Sequence, residues 1–267
     1  MAGPIITLLT DFGLQDGYVA CMKGVILGIA PEARLTDISH LIAPRDVRSG
    51  AFVLSTSYSY FPHGTIHVAV VDPGVGTERR AIAIRTPFQY LIGPDNGIFS
   101  FILSRQSGWE ARSLSNPEFH LQPVSPTFHG RDIFAPVAAH LARGVPFESL
   151  GPRCEPLFCD WGSPVRTETG LDGEIIHIDR FGNAITNVTR NTLENTAPIH
   201  QWVVQIAAAP PLPILKTYGH GLPGSALALV GGSGSVEIAV NRGSAALELG
   251  LRTGTKVSFT TKDGVSH

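Results

Sequence analysis

The chain has 267 residues, is 43% hydrophobic and carries a formal charge of −2, with its Lys and Arg scattered along the sequence. It is long enough for two domains, but it lacks the basic patch that a phosphate backbone requires, so nucleic acid is not an expected partner. No window approaches the ~20 apolar residues that span a bilayer and no basic segment leads the first apolar run, so no membrane partner and a cytoplasmic location are expected.

From the amino terminus to about residue 150, short β-rich apolar runs alternate with segments of helical period, the pattern of an α/β fold with a mostly parallel sheet. The strands are predicted at "IITLLT", "ARLTDI", "TIHVAVV", "AIAIRT" and "QYLIG". Helices are predicted over Asp16–Ala30, with Val19, Met22, Ile26 and Ile29 on one face, over Asp46–Tyr60, and over residues 131–143, where Pro136 kinks the helix or marks its first turn. Residues 151–170, rich in Pro, Gly and Cys, read as a linker. Over 171–267 the texture changes to short strands broken by Gly, Asn and Ser, among them "WVVQIAA" and "KVSFTTK", which predicts a smaller antiparallel β-barrel-like domain.

Ligands of open parallel sheets sit beyond the carboxyl ends of the strands. Four predicted strands end on or beside an aspartate there: Asp11, Asp37, Asp72 and Asp95. A crevice lined this way suits a cationic substrate or an oxygen-liganded metal. No HExxH, CxxC pair or EF-hand spacing is present, and Cys21, Cys154 and Cys159 have no ligand spacing, so no metal site is predicted. "DPGVGT" lacks the Lys-Ser/Thr of a phosphate loop, and "GGSGS" is followed by a strand rather than a helix. His129, just ahead of a helix in "PTFHGRD", makes a proton-handling set with Asp72 and an arginine of "VVDPGVGTERR".

In order along the chain, "LLTDFGLQDGYVACMKG", "VVDPGVGTERR", "PTFHGRD", "DRFGNAITN" and "VEIAVNRGSAA" resemble the S-adenosyl-L-methionine (SAM) hydroxide adenosyltransferase family. Its members hydrolyse SAM to adenosine and are related to the SAM-dependent fluorinase and chlorinase. The resemblance implies a Rossmann-like amino-terminal domain, attack of water or hydroxide on the ribose C5′ of SAM, release of adenosine and L-methionine, and no cofactor. It also implies a homotrimer with each substrate held between subunits. The family's catalytic Asp, Arg and His match Asp72, Arg79 and His129, with the adjacent Arg80 as the alternative arginine; His129 is the expected base. By the same resemblance Asp11 holds the ribose hydroxyls, Asp179 the methionine ammonium, Asn183 the adenine edge or the methionine end, Phe181 and Tyr218 the base, and Arg242 the methionine carboxylate.

Three other functions compete. The halogenases carry Tyr and Ser where this chain has Asp72 and Gly130, and halide needs no base. A non-catalytic adenosyl-binding sensor would need no triad. A metal-dependent hydrolase would use the strand-end aspartates.

Overall fold

The computed structural model describes residues 3–207 and 209–262, so Ala208 of the strand predicted at "WVVQIAA", residues 263–267 of the second predicted domain, Met1 and Ala2 lie outside the described residues. Two units meet in sequence between Cys159 and Asp160.

The first unit begins β1 (Ile5–Thr10), α1 (Tyr18–Ile29), β2 (Arg34–Ser39), α2 (Val47–Tyr58) and β3 (Ile66–Val70). It continues with β4 (Ala81–Arg85), β5 (Tyr90–Pro94), α3 (Ser100–Leu103), β6 (Glu110–Ser113), α4 (Ala135–Ala142) and β7 (Arg153–Cys154). The strand order is β2-β1-β3-β5-β4-β6-β7. The first four are parallel neighbours, and β4, β6 and β7 extend the sheet antiparallel. β7 falls within the segment predicted as linker.

Alternation along β1 shows why the parallel strands form. Ile6 and Leu8 pack with Met22 and Ile26 of α1 and Val137 and Leu141 of α4. Gly50 of α2 lies against Leu9 and Val71, where an added Cβ would be 3.0 Å from a Val71 methyl. Successive residues face opposite sides of a sheet, so a strand covered on both sides reads as a mostly apolar run; β3 is buried at every position, and its one polar residue, His67, is satisfied by Thr7 and Gln89. Asp46 caps α2 by accepting the Ser49 N–H at 2.9 Å. The helix predicted over 131–143 is divided: Gly130–Phe134 forms a π-helical turn, and Pro136 sits in the first turn of α4.

The second unit runs β8 (Val165–Arg166), β9 (Gly170–Ile178), β10 (Ala184–Thr189), α5 (Arg190–Glu194), β11 (Trp202–Gln205) and β12 (Leu212–Leu215). β13 (Ala226–Val230), β14 (Ser235–Val240), α6 (Ala245–Glu248) and β15 (Lys256–Thr261) complete it. Pairing of β10 with both β14 and β9 closes seven strands into a barrel around Ile175, Trp202, Ile238 and Phe259, with β8 added outside. The barrel departs from the antiparallel expectation at one place: β12 and β13 are parallel. A ten-residue connection, residues 216–225, lets the chain return to the same end.

Candidate active site

Each unit carries part of the predicted site. In the first, β1 delivers Asp11 and β3 delivers Asp72 to the same edge of the sheet. After Asp72 the chain turns through Pro73 and two glycines; Gly76, at φ 76°, lies so near the Pro126 carbonyl that a Cβ would be 2.2 Å away. The turn returns Arg79 to Asp72. Arg79 Nε donates to Asp72 Oδ1 and Oδ2 at 2.9 and 3.0 Å, and Nη2 also donates to Oδ2. The same Nη2 lies 2.8 Å from His129 Nδ1. Both charged side chains are nearly buried, Asp72 at 5% and Arg79 at 10% exposure. The adjacent Arg80 points elsewhere, to Asp95 at 2.8 Å and the Glu155 carbonyl at 2.6 Å. The structure thus joins Arg79, and not Arg80, to Asp72 and His129.

A guanidinium only donates, so His129 Nδ1 accepts and the neutral ring carries its proton on Nε2. Burial lowers the His129 pKa, and the Arg79 charge lowers it further against the opposing pull of Asp72 and Asp132. The imidazole is therefore neutral near neutral pH, with its free lone pair held by Arg79. For His129 to act as the expected base, Arg79 Nη2 must release that lone pair.

Asp11, Asp72 and His129 line one recess of about 50 Å³ with Phe12, Val75, Thr127 and Phe128. Phe12, Tyr18 and Phe128 pack mutually, with ring centroids 5.3 to 6.0 Å apart. Gly130 packs closely here: a Cβ would be 3.3 Å from the Phe12 ring and the Met22 sulfur, a tight contact. The shared aspartate edge is only partly a crevice. Asp37 pairs with Lys23 at 2.6 Å, and Asp95 with Arg80 and the Leu157 N–H. Those two aspartates are committed to the fold.

In the second unit, Phe181, Asn183, Tyr218 and Arg242 line a pocket of about 660 Å³ with Ser244. Phe181 is 78% exposed, so it is not a core residue. Arg242 has no hydrogen bond or ion pair among the described residues and holds a left-handed backbone, φ 64°, unusual for a side chain of its kind. Asp179 does not line the pocket. It accepts the N–H groups of Phe181 and Asn183 and the Asn183 side-chain amide, all at 2.9 Å, and so shapes the turn that presents both residues. Tyr218 donates to Glu237, a residue the sequence reading missed; it is 6% exposed on β14. Burial raises the pKa of both partners. A third pocket, of about 510 Å³ beside α2 and lined by Tyr58, Phe88 and Arg105 among others, holds none of the predicted residues.

Comparison with known proteins agrees with this division. The profile of the SAM hydroxide adenosyltransferase N-terminal domain matches residues 6–151, and that of the C-terminal domain matches residues 173–258. The chain belongs to the SAM hydroxide adenosyltransferase family.

Among its relatives in this family, an (R)-S-adenosyl-L-methionine hydrolase of Thermus thermophilus is 40% identical, over 94% of this chain and 98% of the relative. A protein of the same name from Salinispora arenicola is 41% identical over 96% and 98%. A fluorinase of Nocardia brasiliensis is more distant, at 30% identity over 95% and 96%. The crystal structure of an uncharacterized conserved protein from Thermotoga maritima superposes with a TM-score of 0.89 at 36% identity, covering 95% of this chain and 99% of the other.

Proposed function

We propose that the chain hydrolyses SAM at the ribose C5′, without metal or cofactor, to adenosine and L-methionine, and that it acts on the (R)-sulfonium form named for the Thermus and Salinispora relatives. The observation that carries this reading is the Asp72–Arg79–His129 chain at the recess beyond the parallel strands.

In the reaction the water oxygen bonds to C5′, the C5′–S bond breaks with its electron pair going to sulfur, and the water gives up one proton. Bulk water has a pKa of ~15.7, so an acceptor must be in place. Neutral His129 is that acceptor once Arg79 Nη2 yields its lone pair, while Arg79 Nε stays bonded to Asp72. Charge is lost from sulfur as the bond forms, which a water-poor site favours. Asp11 accepts from the ribose hydroxyls. In the second unit Arg242 meets the methionine carboxylate, Phe181 and Tyr218 contact the base, and Asn183 reads a polar edge. A carboxylate has about four acceptor sites, and Asp179 retains one for the ammonium after its turn bonds.

The same proposal includes a homotrimer whose sites draw the first unit from one subunit and the second from its neighbour. Ligand pockets for molecules of SAM's size run to about 300–1,000 Å³, so the recess of about 50 Å³ is too small by itself, and the remaining binding residues lie on the other unit. A cytoplasmic location fits three free cysteines; no helix among the described residues is long and apolar enough to cross a membrane.

The test incubates the purified protein with each SAM epimer in halide-free buffer containing EDTA and follows adenosine and methionine by liquid chromatography. Equimolar appearance of both from the (R) form is expected. SAM bound but intact would overturn catalysis in favour of an adenosyl sensor, and activity that returned only with added metal would overturn the metal-free mechanism.

A further inference from the structure

Asp37, drawn from the sequence as a crevice residue, leads to a buried polar chain that the reaction does not use. Thr10 Oγ1 is 2.9 Å from His40 Nδ1, and His40 Nε2 is 3.0 Å from Asp37 Oδ1. Lys23 Nζ reaches the other oxygen of Asp37 at 2.6 Å. The order hydroxyl, imidazole, carboxylate resembles that of a hydrolytic triad. Its hydroxyl, however, is fully buried and cannot meet a substrate.

What the chain does touch is the turn that carries Asp11. The Phe12 N–H donates to Thr10 Oγ1 at 3.2 Å, which leaves the Thr10 hydroxyl proton for His40 Nδ1. The ring proton then lies on Nε2, facing Asp37. That contact is out of line for a straight hydrogen bond and acts as an electrostatic pairing, the weaker arm of the chain. His40 also holds the turn through its backbone, because its carbonyl accepts the Gly13 N–H at 2.8 Å. The Arg45 N–H then closes the unit by donating to Asp11 Oδ2 at 2.8 Å. Burial works to raise the Asp37 pKa, but the Lys23 ammonium and the neighbouring His40 ring outweigh it and keep the carboxylate ionised.

We propose that His40, supported by Asp37, is the positioning residue for Asp11: through Thr10 and the 11–13 turn it sets where the Asp11 carboxylate stands and so governs affinity for the ribose end of the substrate. This rests on the reading that Asp11 binds ribose hydroxyls. His40 touches neither the substrate nor Asp72, Arg79 and His129, so its removal should act on binding and leave turnover at saturation nearly intact.

The test compares His40→Ala, His40→Asn and Asp37→Ala with the wild type by adenosine calorimetry, by kcat and KM with SAM, and by amide exchange at Phe12 and Gly13. Loss of one buried hydrogen bond is worth about tenfold. His40→Ala should weaken adenosine binding about tenfold and raise KM alike, with kcat within about twofold, and should speed exchange at Phe12 about tenfold. His40→Asn places an acceptor where Nδ1 was and should recover most of both losses. Asp37→Ala, at an exposed side chain, should give about a threefold loss that disappears in the His40→Ala background. Unchanged adenosine affinity and exchange in His40→Ala would overturn the proposal, as would equal losses in the Ala and Asn variants. If the wild type itself did not bind adenosine, the substrate reading would fail, and exchange alone would decide for or against the positioning role.

Discussion

Arg79 holds two partners with one guanidinium, and a lysine could not. Its Nε and Nη2 grip Asp72 while Nη2 caps His129. Arg79→Lys keeps the charge but loses the planar fork, so kcat should fall about a hundredfold or more. Arg80→Ala should change kcat by less than about threefold, because Arg80 pairs with Asp95 and the Glu155 carbonyl and touches neither Asp72 nor His129. Steady-state kinetics on the two variants separates neighbours that the sequence could not: the motif placed an arginine near Asp72, but only the path of the loop decides which side chain turns inward. His129→Ala should lower kcat by about 10²–10⁴ with SAM affinity little changed, since a base acts in the transition state. Equal losses in kcat and affinity would make His129 a binding residue. His40 and Glu237 were illegible for different reasons. His40 is one of ten histidines, with no spacing to mark it. Glu237 sits in an alternating run, where a charged residue reads as outward-facing, whereas every residue of β14 is buried.

Among the elements, the turn between β9 and β10 holds three of the proposed binding residues, Asp179, Phe181 and Asn183, within five positions. Gly182 holds φ 82°, and a Cβ there would be 2.0 Å from Ser244 Oγ. Gly182→Ala therefore combines backbone strain with a clash against another wall of the same pocket, and should cost about 1–3 kcal/mol in stability. Asn183 and Phe181 should lose their presentation with it. Urea unfolding together with methionine binding checks this, and a variant of wild-type stability would show that the turn can shift freely. The parallel strands and long helices were legible because burial on both sheet faces leaves continuous apolar runs and burial on one helix face leaves a 3.6-residue period. The π-helical turn at Gly130–Phe134 and the parallel β12–β13 pair were not. The first changes only which carbonyl each N–H meets, and the second depends on where a loop returns the chain.

For the whole molecule, acidity should act through His67. It is buried between Thr7 and Gln89, and burial lowers its pKa from 6.5 to about 4. Between those values the unfolded chain binds the proton and the folded chain does not, so stability falls as pH drops, by on the order of 3 kcal/mol at the acid end. Urea midpoints across that range should fall, and His67→Gln should flatten the slope; an equally steep slope in the variant would assign the effect elsewhere. The proposed division of the site between subunits has its own test. Asp72→Ala and Arg242→Ala chains, inactive alone, should regain about a quarter of wild-type activity when co-assembled as random trimers. No recovery would mean that each chain completes its own site. The two-part organisation was legible from the change in texture near residue 170, while nothing in composition speaks to subunit number.

Among the described residues, the sheet edges are short or carry charged side chains. The open sheet ends at β7, which is two residues long, and at β2, which carries Arg34, Thr36 and Asp37; the barrel closes on itself apart from the two residues of β8. Strand addition, the common route to runaway association, is therefore discouraged by the shortness of β7 and β8 and by the charged side chains of β2. Exposed apolar side chains such as Leu14, Leu41, Phe181 and Leu247 offer copies of this chain a different kind of contact. Such contacts depend on complementary shape and can stop at a fixed number of subunits, whereas an open row of peptide groups would keep accepting more.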